Sequence, residues 1–300
     1  MSRVAFVKTQ DRASGVRAAI RLFDPGAFEG QHLFLKPNYN SADPTPGSTH
    51  DEVLRALVAA LRARQAGTIT VGDRSGMGDT RSVMQAKGLF EMAKELGFDV
   101  LVLDELDREG WVKQQFEGSH WKHGFAVARP ALDADGIVQT CCLKTHRYGG
   151  HFTLSLKNSV GLVAKRVPGE GHDYMRELHT SLHQRLMIAE INTAYEPALI
   201  VLDGVEAFVK GGPAKGQKVD AGVILVGKDR IAVDAVGVAM LRHFGTTRAV
   251  QKGPIFEQPQ IARAVELGLG VGSPDEIELV TGDNESAAYA AQIREILLGE

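Results

Sequence analysis

Cysteine is almost missing from this 300-residue chain: two occur, adjacent at Cys141 and Cys142. Adjacent cysteines rarely bridge each other, and without a CxxC pair a disulfide framework, a structural zinc ribbon and a ferredoxin-type iron–sulfur cluster find no support. A basic excess is missing too. With 34 Lys and Arg against 37 Asp and Glu, and a net charge of -3, the chain has no global field for the phosphate-driven binding of nucleic acid. No apolar run reaches the ~18 residues of a membrane span. Met1 to Lys8 enters a strand-like stretch with no signal-peptide core. The expectation is a cytoplasmic protein whose partner is a small molecule, with no role for a membrane or nucleic acid. What is present is ordinary globular material: 44% hydrophobic and 24% charged residues, over a length that fills one large domain or two lobes.

Apolar runs of strand length alternate with helix-period segments through the first part of the chain. Val4–Val7, His32–Lys36, Thr68–Val71 and Asp99–Leu103 read as strands. Helices are predicted at Ala13–Leu22, near 50–65 and near 80–96, the second opened by the hydroxyls and acids of Ser48-Thr49-His50-Asp51-Glu52. Strands separated by helices imply parallel pairing through right-handed crossovers. The expected fold is therefore α/β, a mostly parallel sheet with helices on both faces, as one domain over residues 1–300 or as lobes 1–135 and 136–300. Residues 104–130 read as an irregular excursion with one or two edge strands. Beyond it come a strand at Gly136–Cys142, a helix at Ser181–Ala194, and strands at Leu199–Asp203 and Val223–Val226 flanking a Gly- and Lys-rich loop, Gly204–Gly222. Helices at Ile231–Phe244, Gln258–Leu267 and Ala287–Leu298 and a strand at Ile277–Val280 complete the prediction.

Ligands in open α/β sheets bind beyond the carboxyl ends of the strands, which singles out Lys36-Pro37-Asn38 and Gly72-Asp73-Arg74-Ser75. The densest chemistry lies between Thr140 and His183, which holds five of the ten histidines. Lys144 and His146 follow the Gly136–Cys142 strand. There a lysine offers a fixed charge to a carboxylate or phosphate, and a histidine exchanges a proton near neutral pH. The plainer alternative is a structural ion pair for Lys144 and a turn cap for His146. Lys157 and Asn158 interrupt the apolar run Phe152–Gly161, and such breaks of pattern are where functional residues sit; a solvated face is the alternative. His179 and His183, four apart, share one face if helical, so with His146 or His172 they are candidate ligands for a divalent metal. The same spacing arises on solvated faces, and Thr180-Ser181-Leu182 between them lacks the glutamate of the zinc-protease motif. Gly72 and its loop can bring backbone N–H groups and Ser75 to an anion, but the loop is neither a Walker A nor a GxGxxG motif, and a plain turn is the alternative. Asp234 sits inside an apolar helical run, where a carboxylate needs a partner.

In this order, Lys36-Pro37-Asn38, Thr49-His50, Val71-Gly72-Asp73, Leu143-Lys144-Thr145-His146, Leu156-Lys157-Asn158 with Gly161, Asp203-Gly204, Gly212-Pro213 and Asp229 with Ala232-Val233-Asp234-Ala235 resemble the family known as domain of unknown function 362. The resemblance spans residues 36–235. It implies an α/β domain and brings no established reaction. Many similar chains carry a four-cysteine iron–sulfur segment and so a link to redox metabolism; this chain has only Cys141 and Cys142, so no such cluster is expected. A more distant similarity to the nickel-dependent lactate racemase family is an analogy of fold and residue types.

The leading expectation is an enzyme acting on a small anionic organic molecule. Lys36, Asn38, Asn158, Gly72 and Ser75 would bind it, and Lys144, His146, Lys157, Asp73 and Asp234 would carry acid–base chemistry of the isomerase, lyase or hydrolase kind rather than oxidoreduction. Two alternatives stand beside it. One is a metal- or cofactor-binding protein with His146, His172, His179 and His183 as ligands; the other is a non-catalytic module that binds a partner through Gly204–Gly222.

Overall fold

The computed structural model describes residues 1–149 and 151–299. Its strands are β1 (Ser2–Lys8), β2 (Leu33–Lys36), β3 (Ile69–Asp73), β4 (Asp99–Val102), β5 (Trp111–Gln114), β6 (Phe125–Ala128), β7 (Gly136–His146), β8 (His151–Thr153), β9 (Pro197–Gly211), β10 (Gly216–Gly227) and β11 (Ile277–Val280). Nine of them form one mixed sheet in the order β11-β1-β10-β9-β7-β2-β3-β4, with β8 hydrogen-bonded to the end of β7; β5 and β6 form a separate two-stranded sheet. The pairs β7–β9, β7–β2, β2–β3, β3–β4 and β1–β11 are parallel, whereas β1–β10, β10–β9 and β7–β8 are antiparallel. The expected α/β architecture is borne out, with the antiparallel β1 and β10 as the departure from uniform parallel pairing.

Alternation along the strands explains why both faces are covered. In β1, Val4 and Phe6 point into one apolar cluster while Ala5 and Val7 point into another. Packed on the second face are the helices Arg12–Phe23 and Asp51–Ala63; on the first lie Arg230–His243, Pro259–Glu266 and Asn284–Leu298. Asp51–Ala63 contributes Val53, Leu54, Leu57 and Leu61, all fully buried, each contributing about 1.5–3 kcal/mol. Its start is capped by the His50 ring nitrogen, which accepts from Glu52 N–H at 3.2 Å.

Several predicted boundaries move. Strand β7 continues to His146, so Lys144 and His146 lie on the strand rather than past it. The predicted 181–194 helix starts at Gln184 and runs to Ile191, continued by a 3-10 turn to Ala194, and a separate helix, Tyr174–Thr180, precedes it; the 80–96 helix is broken at Gly88, whose φ of 64° leaves the helical region. Residues Gly204–Gly222 are mostly not a loop. They complete the β9–β10 hairpin, in which Ala207 and Val209 are buried in one apolar cluster and Val205, across an irregularity in the pairing, in the other, a strand pattern masked in sequence by glycines and lysines. Their backbone groups are engaged in the sheet ladder, so the loop expected there is a hairpin.

Candidate functional site: a cationic cavity at the carboxyl ends of the central strands

Lys36 ends β2, Asp73 ends β3, and Lys144 and His146 lie in the last residues of β7, so three parallel neighbours deliver their polar groups to the same edge. After β7 the chain turns back through β8 into the single helical turn Ser155–Asn158, which carries Lys157 and Asn158 over that edge. Together with Asn38 and His179 these residues line a cavity of about 890 Å³. Seven Lys or Arg side chains line it against two Asp, a cationic pocket in a protein whose net charge is -3.

The floor of the cavity is a closed polar network. Lys36 Nζ lies 2.7 Å from Asp73 Oδ1, both side chains 2% exposed, and also donates to Pro37 O at 2.6 Å and to Asn158 Oδ1 at 3.3 Å. Asp73 accepts in turn from the backbone N–H of Tyr39 at 2.8 Å and of Arg74 at 2.7 Å. Burial pushes the Lys36 ammonium down from its ordinary pKa while Asp73 holds it up; it pushes Asp73 upward against Lys36 and the two N–H donors. Lys144 has no carboxylate partner among the described residues. Its ammonium donates to Asn38 Oδ1 at 2.6 Å, to Pro46 O at 3.0 Å and to Gly47 O, which uses all three of its protons. Asn158 closes the network by donating to Thr140 O at 3.1 Å.

Above this floor Lys157, His146 and Thr153 carry polar groups without partners among the described residues. Among the described residues Lys157 has neither a hydrogen-bond nor an ion-pair partner. It keeps partial contact with the cavity space, and enclosure by protein, followed by the charges of Lys144 and Arg74, lowers its pKa to about 8. Burial and then the Lys157 charge hold His146 far below the usual imidazole range, so its ring is neutral. His146 Nδ1 and the Thr153 hydroxyl are buried without partners among the described residues, and both side chains line the cavity. A buried polar group left unpaired costs about 1–3 kcal/mol, so this part of the wall is organised for something that supplies partners.

Not every expected residue arrives. Asp234 is not among the residues that line the cavity. It accepts from Ser155 N–H at 2.7 Å, Ser155 Oγ at 2.6 Å and Leu156 N–H at 3.2 Å, so it anchors the turn that presents Lys157. Burial raises its pKa to about 7 against those three donors. Gly72 and Ser75 likewise do not line the cavity. A Cβ on Gly72 would run into the Phe34 ring, which makes it a packing glycine, and Ser75 Oγ is occupied by Tyr39 O at 2.6 Å. The four-histidine metal set does not assemble. His172 leaves the cavity to meet Glu177 at 2.7 Å, His183 stacks against His120 with ring centroids 4.7 Å apart, and the break between the two helices removes the shared face expected for His179 and His183. Among the described residues no group of three or more His, Cys, Asp or Glu is placed to hold a metal ion.

Three contributors went unassigned in sequence. Arg74 is buried in the cavity wall and donates to the carbonyls of Val163 at 2.8 Å and Val160 at 2.5 Å and to Met175 Sδ at 3.1 Å, so neutral acceptors hold its charge there. Gly161 lets the main chain pass over the ion pair: a Cβ there would lie 2.6 Å from Lys36 Nζ and strike Asp73 Oδ1. Thr153 reaches the wall because β8 pairs it with Lys144. Arg74 and Gly161 stood inside the quoted motifs, whereas nothing local marked Thr153.

The fold and the cavity define an α/β protein with a basic pocket at the carboxyl edge of a mixed sheet. Within that class the chain belongs to the family described as Domain of unknown function (DUF362), whose model matches residues 33–239, as the ordered motifs implied. It is similar to the thylakoid-associated protein sll1697 of Synechocystis sp., with 27% identity over 210 residues, 69% of this chain. The match covers 62% of that relative's length. In structure it is similar to the lactate racemase apoprotein of Thermoanaerobacterium thermosaccharolyticum, with a TM-score of 0.47 and 14% identity over 79% of this chain and 57% of the other. Among the described residues no helix is long and apolar enough to cross a membrane.

Proposed function

We propose that this chain is an enzyme that binds a small anionic organic molecule in the cavity and uses Lys157 for proton transfer. The observation that carries this reading is the combination of a strongly cationic lining with one ammonium, that of Lys157, left unpartnered among the described residues. Roles divide by hydrogen-bond occupancy. Lys36, Lys144 and Arg74 are fixed charges whose protons are already engaged, so they attract an anion through space. Asn38 holds Lys144 in place and Asn158 holds Lys36. Lys157 has a proton to give and, near pH 8, a lone pair with which to take one. Neutral His146 and the Thr153 hydroxyl supply hydrogen bonds to ligand oxygens.

Thermal denaturation in the presence of a panel of carboxylates and phosphate esters tests the proposal. Binding at a hundredfold excess over Kd stabilises the fold by about 2.7 kcal/mol, and Lys157→Met should lose turnover of the responding compound while folding normally. A chain that responds to no anion, or an equally active Lys157→Met variant, would sink the reading.

A further inference from the structure

The reading above treats the bound molecule as an anion of unspecified chemistry; the same site narrows its class, and the narrowing rests on that reading. A lysine that only binds anions needs its charge, and a saturated one such as Lys144 supplies it without a free proton or lone pair. Lys157 differs in each respect. It occupies a rigid turn pinned by Asp234, faces the cavity without a protein partner among the described residues, and sits close enough to Lys144 and Arg74 to feel both charges. A desolvated amine beside other cations is the arrangement that turns lysine into a nucleophile, because protonation is opposed while the lone pair stays accessible.

We infer that Lys157 condenses with the carbonyl of a 2-oxo carboxylate to form an imine, so that the substrate class of this cavity is the small 2-oxo acid. The lone pair of the neutral amine forms a bond to the carbonyl carbon while the C=O π pair moves to oxygen, giving a carbinolamine. One N–H proton passes to that oxygen; the nitrogen lone pair then forms the C=N bond as the C–O bond breaks, and the oxygen departs as water with this proton and the one the ammonium had released. The net change is ammonium plus ketone to protonated imine plus water. The neighbouring carboxylate explains the rest of the wall. It places a negative charge beside the carbon attacked by Lys157, where the fixed cations Lys36, Lys144 and Arg74 converge. Its oxygens can accept from the Thr153 hydroxyl and the His146 ring, whose Oγ and Nδ1 are buried without a partner among the described residues. The imine stays cationic, so the attraction that brings the acid in persists after condensation.

Pyruvate with sodium cyanoborohydride provides the test, followed by peptide mass mapping, on wild type, Lys157→Arg and Lys157→Met. In parallel, thermal shift with oxamate, a carboxylate of similar shape that forms no imine, reports anion binding alone. The expected result is a stable adduct on Lys157, gaining the mass of the acid less one oxygen, formed at least ~10-fold faster than on exposed lysines such as Lys215. Lys157→Arg should keep the oxamate shift and form no adduct above the level of exposed lysines. An oxamate shift in wild type with Lys157 labelled no faster than Lys215 overturns the imine and leaves the anion-binding reading standing. Absence of both adduct and shift overturns the two together.

Discussion

Replacing Asp73 with Asn leaves its shape almost unchanged and removes its charge, which isolates what the floor of the cavity costs to maintain. In the native protein the Lys36 ammonium is 2.7 Å from Asp73 Oδ1 with both side chains 2% exposed; after the substitution it keeps Pro37 O and Asn158 Oδ1 as neutral acceptors. Leaving one member of a buried pair uncompensated costs about 3–5 kcal/mol. Proton loss sets a ceiling. A lysine with an ordinary pKa near 10.4 can be neutralised at pH 7 for about 5 kcal/mol, at ~1.4 kcal/mol per pH unit. Where the cost reaches that ceiling, the variant's Lys36 is neutral when folded and protonated when unfolded, so the unfolded state binds more protons and rising pH favours folding. The deficit relative to wild type should therefore shrink by ~1.4 kcal/mol per pH unit above pH 7 until native Lys36 itself begins to lose its proton. Urea unfolding at pH 7, 8 and 9 measures this, provided the slopes match. Adding Lys36→Met should recover much of the loss, since it removes the stranded charge. A deficit below ~1 kcal/mol at pH 7 would refute the buried-charge account, and one that stays constant to pH 9 would mean that Lys36 keeps its proton in the folded variant.

Gly161→Ala should destabilise by about 1–3 kcal/mol and weaken anion binding, because its Cβ would enter the Lys36–Asp73 pair; chemical denaturation with oxamate titration checks both. Asp234, with its pKa raised to about 7, contributes stability fully present below its ordinary pKa near 4 and lost as pH rises through 7. Asp234→Asn should accordingly gain on wild type by about 4 kcal/mol between pH 4 and 8 in unfolding titrations, and a constant difference would contradict it. The rate of borohydride-trapped adduct at Lys157 should climb ~10-fold per pH unit below 8 and level off above; a profile that levels near pH 10 would mean an ordinary lysine.

The fold class was legible because it depends on local signals that survive without context. Period-two and period-3.6 patterning, the Ser48–Glu52 cap and the glycine stops placed most strands and helices within a few residues, and the rule that ligands gather at strand carboxyl ends selected Lys36 and Asp73. Those signals failed where two states share a composition. The glycines and lysines of 204–222 read as a loop because the buried positions Val205, Ala207 and Val209 acquire meaning only against the strands beside them.

Taken alone, the sequence determined which residue types were out of place in apolar surroundings, and in what order: Lys36, Asp73, Lys144, Lys157 and Asp234 all break their local pattern, and all are charged groups that must find partners. It could not determine which partners. Only the tertiary structure separates Lys144, whose protons are consumed by Asn38 and two loop carbonyls, from Lys157, left free among the described residues by a turn held from below. The same arrangement sends Asp234 to anchor that turn and scatters His172 and His183 to Glu177 and His120. The physical reason is that reactivity here is set by hydrogen-bond occupancy and desolvation, which belong to contacts between residues over a hundred positions apart in the chain, such as Lys144 with Asn38 and Lys36 with Asn158.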